Sequence, residues 1–179
     1  MDRTLVLITG PSGAGKDTIL RAASEHFEDD PRVKFIRRYI NRPAGKDEDN
    51  RHLSDAEFAD CVSKGAFLSH WHAHGHMYGI MKDDIINGVN IISVSRTVVK
   101  DIAENWPDTL LAEITADRET LFRRLSARGR ESEEEVKKRL ERYVPVELEK
   151  AVVIDNSADL TDSVRAFCEF ISGLLIFYK

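Results

Sequence analysis

The octet GPSGAGKD, residues 10–17, constrains this chain more than any other stretch. It fits G-x-x-x-x-G-K, follows the apolar run TLVLIT (residues 4–9), and opens a helical pattern with Ile19, Leu20, Ala23 and Phe27 on one side. Strand, glycine turn and helix in that order make a phosphate cradle. The glycines let the backbone curl so that successive N–H groups face one anion, and the helix N-terminus adds its positive end. A short apolar strand feeding a helix belongs in a parallel sheet covered by helices, so the expected fold class is α/β.

The rest of the chain keeps this alternation. VKFIRRYI (33–40), NIISVS (90–95), TLLAEIT (109–115) and VVID (152–155) read as strands. Ser54 with Glu57 forms a capping box for a helix with Phe58, Cys61 and Val62 inward. A further helix ends near Pro107, and Asp117 caps one carrying Leu121, Phe122 and Leu125. Ser132 and Glu135 form a second capping box, for a helix with Val136, Leu140, Tyr143 and Val144 inward and Pro145 at its end. The last helix is expected to bury Leu160, Val164, Phe167, Cys168 and Ile171.

Composition narrows the partners. A length of 179 residues with 42% hydrophobic content supports one domain with a sizeable core. The net charge of −5 argues against a general nucleic-acid binder. Cations nonetheless crowd two segments, Arg32, Lys34, Arg37, Arg38 and Arg42 in one, Arg123, Arg124, Arg128 and Arg130 in the other. Local clusters in an acidic protein suit a small anionic ligand. Cys61 and Cys168 lie far apart without CxxC spacing, as reduced core residues of a cytosolic protein do. The first apolar run lacks a small-residue cleavage site and leads into the glycine loop, so it reads as a strand and not a signal peptide. The terminal FISGLLIFY is too short to span a bilayer. The expectation is a cytoplasmic protein with neither membrane nor nucleic-acid partner; a homodimer is left open.

The loop, Gly10, Pro11, Ser12, Gly13, Ala14, Gly15, Lys16, Asp17 and Thr18, is the expected ATP site, with Lys16 reaching the β- and γ-phosphates. Asp17 breaks the pattern, for a serine or threonine hydroxyl normally holds Mg²⁺ there. A bare carboxylate beside a triphosphate is repelled strongly at low dielectric. A cation between them removes the conflict, so Asp17 is expected to reach Mg²⁺ directly or through water. NIISVS ends in serine with no acid, and Asp17 would supply the missing carboxylate. The other reading is an outward-turned aspartate favoured by the helix dipole.

GPSGAGKDT, FL followed by YG within residues 67–79, and LFRRLSARGRESEEEVKKRLER (121–142) together resemble the guanylate kinase family, over essentially the whole chain. The resemblance implies a P-loop NTPase-type parallel sheet flanked by helices in a single domain. Residues 1–37, 81–127 and 146–179 would form the core, about 38–80 a small acceptor-binding subdomain, and about 128–145 a helical lid. It also implies that Arg128 and Arg139, with Arg130 and Arg142, clamp the transferring phosphoryl group. Phosphoryl transfer needs positive charge around the equatorial oxygens and little covalent help, so Lys16, a cation and mobile arginines are adequate catalytic machinery. The plainer reading is solvated arginines paired with neighbouring glutamates.

The acceptor side departs from that family. Arg38 stands where a serine is expected, Asn50 near a tyrosine, Ser69 for a glutamate and Ile80 for a threonine. Arg42, Tyr78 and Gly79 persist. Without the carboxylate that accepts the guanine N–H donors, discrimination for GMP can fall by roughly 10⁴–10⁵. GPSGAGKD, RYINRPA (38–44) and SHWHAHGHMYGI (69–80) in combination resemble the ribose 1,5-bisphosphate phosphokinases, guanylate-kinase-like enzymes of phosphonate utilisation. That resemblance implies transfer of the γ-phosphoryl of ATP to the 1-phosphate of ribose 1,5-bisphosphate, giving 5-phosphoribosyl 1-diphosphate and ADP. Arg38, Arg42, Ser69, His72, His74 and Tyr78 are the expected acceptor ligands. His70, His72 and His74 share one face of an extended strand. Acceptor recognition, a solvated run and a zinc site are all readings of that row; no nearby cysteine or carboxylate completes a zinc shell. The rival functions are a nucleoside monophosphate kinase and, more remotely, a non-catalytic binding module, which would be expected to lack Lys16.

Overall fold

In the computed structural model, residues 3–43, 50–129 and 131–178 are described. The chain runs β1 (Arg3–Thr9), α1 (Lys16–His26), β2 (Val33–Ile36), β3 (Tyr39–Ile40), β4 (Arg51–His52), α2 (Asp55–Ser63), β5 (Phe67–Ala73) and β6 (His76–Met81). It continues through β7 (Gly88–Ser93), α3 (Val99–Asn105), β8 (Thr109–Thr115), α4 (Arg118–Ser126), α5 (Glu133–Glu141), β9 (Ala151–Asp155) and α6 (Leu160–Leu175). Side chains along β1 alternate between two cores. Val6 and Ile8 join α1 and α6 residues such as Ile19, Phe167 and Ile171, whereas Leu5 and Leu7 join Ile102 of α3 and Ile80 and Trp71 of the second sheet. Burial on both faces is why this strand is apolar at nearly every position.

Five strands pair in the order β2-β7-β1-β8-β9, every neighbour parallel. After β1 the chain passes beyond β7 to reach β2, and after β7 it passes beyond β1 to reach β8. The connections therefore leave β1 and β7 in opposite directions, which opens a crevice at their carboxyl ends. The second sheet, β4-β3-β6-β5, stands beside that crevice, and its β5–β6 hairpin turns through His74 and Gly75, both at positive φ (52° and 79°). Positive φ at both central residues is the requirement of a tight hairpin turn whose twist matches its strands.

Both capping boxes form: Glu57 accepts from the Ser54 N–H at 2.7 Å and Glu135 from the Ser132 N–H at 2.8 Å. Asp117 caps α4 through the Thr120 N–H. The run 33–40 is not one strand. VKFI pairs with β7, and the chain then crosses at Arg37–Arg38 so that Tyr39–Ile40 pairs antiparallel with β6 in the other sheet. Val144 is 65% exposed because α5 stops at Glu141, before Pro145 could stop it. Val62 and Leu160 are likewise exposed at the outer edges of their helices. Arg130, and Ala44 of the RYINRPA run, lie outside the described residues. Among the described residues no helix is long and apolar enough to cross a membrane.

Candidate active site

The glycine loop is pressed against the strand ends beneath it. Gly10 has φ +144°, and a Cβ there would sit 1.9 Å from the Ile114 carbonyl oxygen. Gly15, at φ +87°, would place one 2.4 Å from Asn156 Nδ2. Asn156 is buried at the end of β9 and donates that amide to the Ala14 carbonyl at 2.7 Å, bracing the loop from below. Gly15 is the N-cap of α1 and no side chain caps that helix. Its first-turn N–H groups thus lack the side-chain acceptor that Ser54, Asp117 and Ser132 give theirs, the arrangement that suits an anion. Lys16 Nζ donates to the Gly10 and Pro11 carbonyls at 2.9 and 3.0 Å, which folds the ammonium back over the loop. Burial is the largest cause lowering its pKa; Asp17 opposes that shift, and Arg38 and Arg128 add to it.

A cavity of about 850 Å³ occupies the crevice. Gly10, Pro11, Ser12, Lys16 and Asp17 form one wall, and Ser93, Ser95 and Arg96 at the end of β7 another. The second sheet contributes Arg38, Asn50, Trp71, His74 and Tyr78. There Arg38 Nε donates to Asn50 Oδ1 at 3.2 Å, and its guanidinium stands 5.6 Å from the centre of the Tyr78 ring. Trp71 stacks on Tyr78 at 5.7 Å between centroids. The far wall is α5 with its flanks, including Glu131, Glu135, Lys138, Arg139, Arg142 and Tyr143. Arg139 Nη1 is held by Glu131 Oε2 at 2.8 Å.

Of the expected site residues, the cavity gathers Gly10, Pro11, Ser12, Lys16, Asp17, Arg38, His74, Tyr78, Arg139 and Arg142. Gly13, Ala14 and Gly15 form the back of the loop, and Thr18 lines a smaller neighbouring cavity of about 550 Å³ that shares Asp17, Arg38 and Ser93. Arg128 is exposed and off the wall, though its charge is felt at Lys16. Arg42, which donates to the Pro43 carbonyl, and Ser69 and His72 are also off it. The parity of β5 explains His72. Trp71 and Ala73 face the cavity, so His70 and His72 project from the exposed side of the hairpin, and only the turn brings His74 round to the mouth. The three histidines therefore do not converge, and no group of three or more His, Cys, Asp or Glu among the described residues could hold a metal. Asp17 does suit Mg²⁺, which is usually bound by one or two carboxylates together with substrate phosphates.

Several contributors carry no local sequence signal. Trp71 reaches the cavity through the second sheet, Tyr143 follows a helix, and Asn156 meets a loop 142 positions earlier.

The fold is that of solved guanylate kinases: the crystal structure of the Anaplasma phagocytophilum enzyme superposes with a TM-score of 0.66 at 15% identity, covering 96% of this chain and 86% of that one. The guanylate kinase family model matches residues 1–173. The chain belongs to the guanylate kinase family. Curated relatives of this guanylate-kinase-family chain include the ribose 1,5-bisphosphate phosphokinase PhnN of Brucella melitensis, 40% identical over 96% of this chain and 93% of that protein. The proteins of the same name from Rhodopseudomonas palustris and Burkholderia pseudomallei are 37% and 36% identical, over 93% and 95% of this chain and 87% and 96% of theirs. As a member of this family with its phosphate loop intact, the chain is an ATP-dependent phosphotransferase.

Proposed function

We propose that this chain transfers the γ-phosphoryl group of ATP to the 1-phosphate of ribose 1,5-bisphosphate, giving 5-phosphoribosyl 1-diphosphate and ADP. The observation that carries the acceptor is the composition of the wall facing the phosphate loop. Among the described residues the second sheet brings Arg38, Asn50, Trp71, His74 and Tyr78 to that wall, cationic and aromatic groups without a carboxylate to accept the N–H donors of a guanine; the cavity's Glu131 and Glu135 stand on the α5 side. A doubly phosphorylated, base-free sugar suits that wall. Relatives named for this reaction support the same acceptor.

The triphosphate lies along the glycine loop with Lys16 at its β- and γ-phosphates. The acceptor's phosphate is held on the Arg38 and Tyr78 side, with His74 at the mouth donating to a sugar hydroxyl or phosphate. An oxygen of the 1-phosphate attacks the γ-phosphorus as the bond to the β–γ bridging oxygen breaks, and ADP leaves. A phosphate monoester is already nucleophilic at neutral pH, so positioning and charge neutralisation suffice without a general base. On a lid spanning about residues 128–145, Arg139 exchanges Glu131 for the equatorial oxygens, and Arg142 joins it there. Residues 38–80 act as the acceptor subdomain. Mg²⁺, held by Asp17 directly or through water, would neutralise charge on the β- and γ-phosphates. Every group used here belongs to one chain, so the mechanism applies equally to a monomer and a homodimer.

The test is an acceptor panel with ADP release as the readout and the product identified by mass. Ribose 1,5-bisphosphate is expected to be turned over with GMP inert; efficient phosphorylation of GMP with no reaction on the sugar bisphosphate would overturn the proposal.

A further inference from the structure

Three side chains from three elements meet where α5 ends, and the mechanism above uses none of them. Tyr143 Oη donates to Glu113 Oε1 at 2.5 Å. Arg96, on the turn after β7, places its guanidinium 5.5 Å from the centre of the Tyr143 ring and donates to the Val144 carbonyl at 3.2 Å. Glu113 is only 9% exposed on β8 and is not among the cavity-lining residues, whereas Tyr143 and Arg96 are. The carboxylate therefore stands behind the tyrosine, off the cavity wall. A buried carboxylate is tolerated only with hydrogen bonds of good geometry, so its partner is held to a narrow range of positions.

Two features of the chain make that position matter. Tyr143 follows Arg142 directly and lies four residues after Arg139, so fixing it fixes the end of the helix that carries Arg139 and is capped by Arg142. Glu113 is in register with Thr9, the residue before Gly10. One path from the phosphate loop to the arginine helix thus runs through a strand pair and a single hydrogen bond. Burial and the Glu113 carboxylate hold the Tyr143 phenol well above its ordinary value, so it remains a donor at working pH.

We propose that Tyr143 and Glu113 are positioning residues for phosphoryl transfer: their hydrogen bond, flanked by Arg96, anchors the carboxyl end of α5 to β8 and thereby sets Arg139 and Arg142 over the phosphate loop. The anchor rests on the phosphotransferase activity and is independent of which acceptor is used.

The experiment measures steady-state kinetics of Tyr143→Phe, Glu113→Gln, Glu113→Ala, Arg139→Ala and the Tyr143→Phe/Arg139→Ala double variant, with whichever acceptor the unaltered enzyme turns over. Tyr143→Phe is expected to lower kcat roughly tenfold to a hundredfold while the KM for ATP stays within about twofold, since misplacing a group by about 1 Å can cost that much. Glu113→Gln keeps an acceptor for the phenol and retains most of the activity; Glu113→Ala falls to the level of Tyr143→Phe. In the double variant the loss is expected to fall well short of the product of the two single losses, because the tyrosine acts in part through Arg139. Losses that multiply independently overturn the proposal, as does Glu113→Gln being as inactive as Glu113→Ala. Hydrogen exchange of residues 133–141 with adenosine 5′-(β,γ-imido)triphosphate bound supplies a readout needing no acceptor. Exchange must be faster in Tyr143→Phe than in the unaltered enzyme, and equal rates overturn the anchor. An unaltered enzyme that phosphorylates only GMP refutes the sugar acceptor and leaves the anchor test intact.

Discussion

Burial lowers the Lys16 pKa from the ordinary lysine value of 10.5, while the adjoining Asp17 raises it. The folded value therefore lies below the unfolded one, and between the two the unfolded chain binds more protons. Stability consequently rises with pH across that window; the penalty is fully present below the folded pKa and gone above the unfolded one. A bound triphosphate supplies the missing counter-charge, so ATP affinity should follow the opposite course. Calorimetric titration against pH is expected to show ATP binding weakening at a pH below 10.5. Lys16→Ala should lower kcat by about 10²–10³, the usual loss for a donor aimed at developing phosphoryl charge. Asp17→Ala should raise the Mg²⁺ concentration needed for half-maximal rate; an unchanged Mg²⁺ titration would refute its assigned role. The loop was legible because its nine residues are contiguous and their chemistry is local. The side on which His72 lies was not legible, because a spacing of two tells which residues share a face, and only the burial of Trp71 decides which face that is.

Helix starts were the most readable elements, since a cap depends on four consecutive residues. Ser54, Asp117 and Ser132 all cap as expected. At the start of α5, hydrogen bonds from the Ser132 backbone and side chain hold the Glu135 carboxyl below its ordinary value. That contribution is present above the ordinary glutamate pKa and is lost as pH falls through the folded one. Ser132→Ala is expected to cost about 0.5–2 kcal/mol, visible as a small drop in Tm and as faster amide exchange confined to α5. The run 33–40 was less readable. Its apolar spacing is right for strands, but periodicity carries no information on which neighbour each half finds. The transfer from β7 to β6 occurs at Arg37–Arg38, and it brings Arg38 into the cavity.

At the scale of the whole molecule, a chain of net charge −5 concentrates Lys16, Arg38, Arg96, Lys138, Arg139 and Arg142 around one cavity. The α/β architecture followed from the sequence because strand–helix alternation admits few topologies. The cavity did not, since its walls come from segments that only the two sheets and α5 together bring within reach. Bracing by Asn156 belongs to this scale as well. Asn156→Ala removes the amide from the buried Ala14 carbonyl, and should lower stability by about 1–3 kcal/mol and weaken ATP binding, both measurable by thermal melts with and without nucleotide. The contact between Arg139 and Glu131 has a different consequence. Under the proposed mechanism that carboxylate occupies the guanidinium as a phosphate would, a stand-in for the substrate. Arrival of the nucleotide is then an exchange of one anion for another and not an addition. Salt screens the outgoing partner as well as the incoming one, which flattens the ionic-strength dependence of binding. Glu131→Gln should bind ATP more tightly at low salt and lose that affinity more steeply as salt rises.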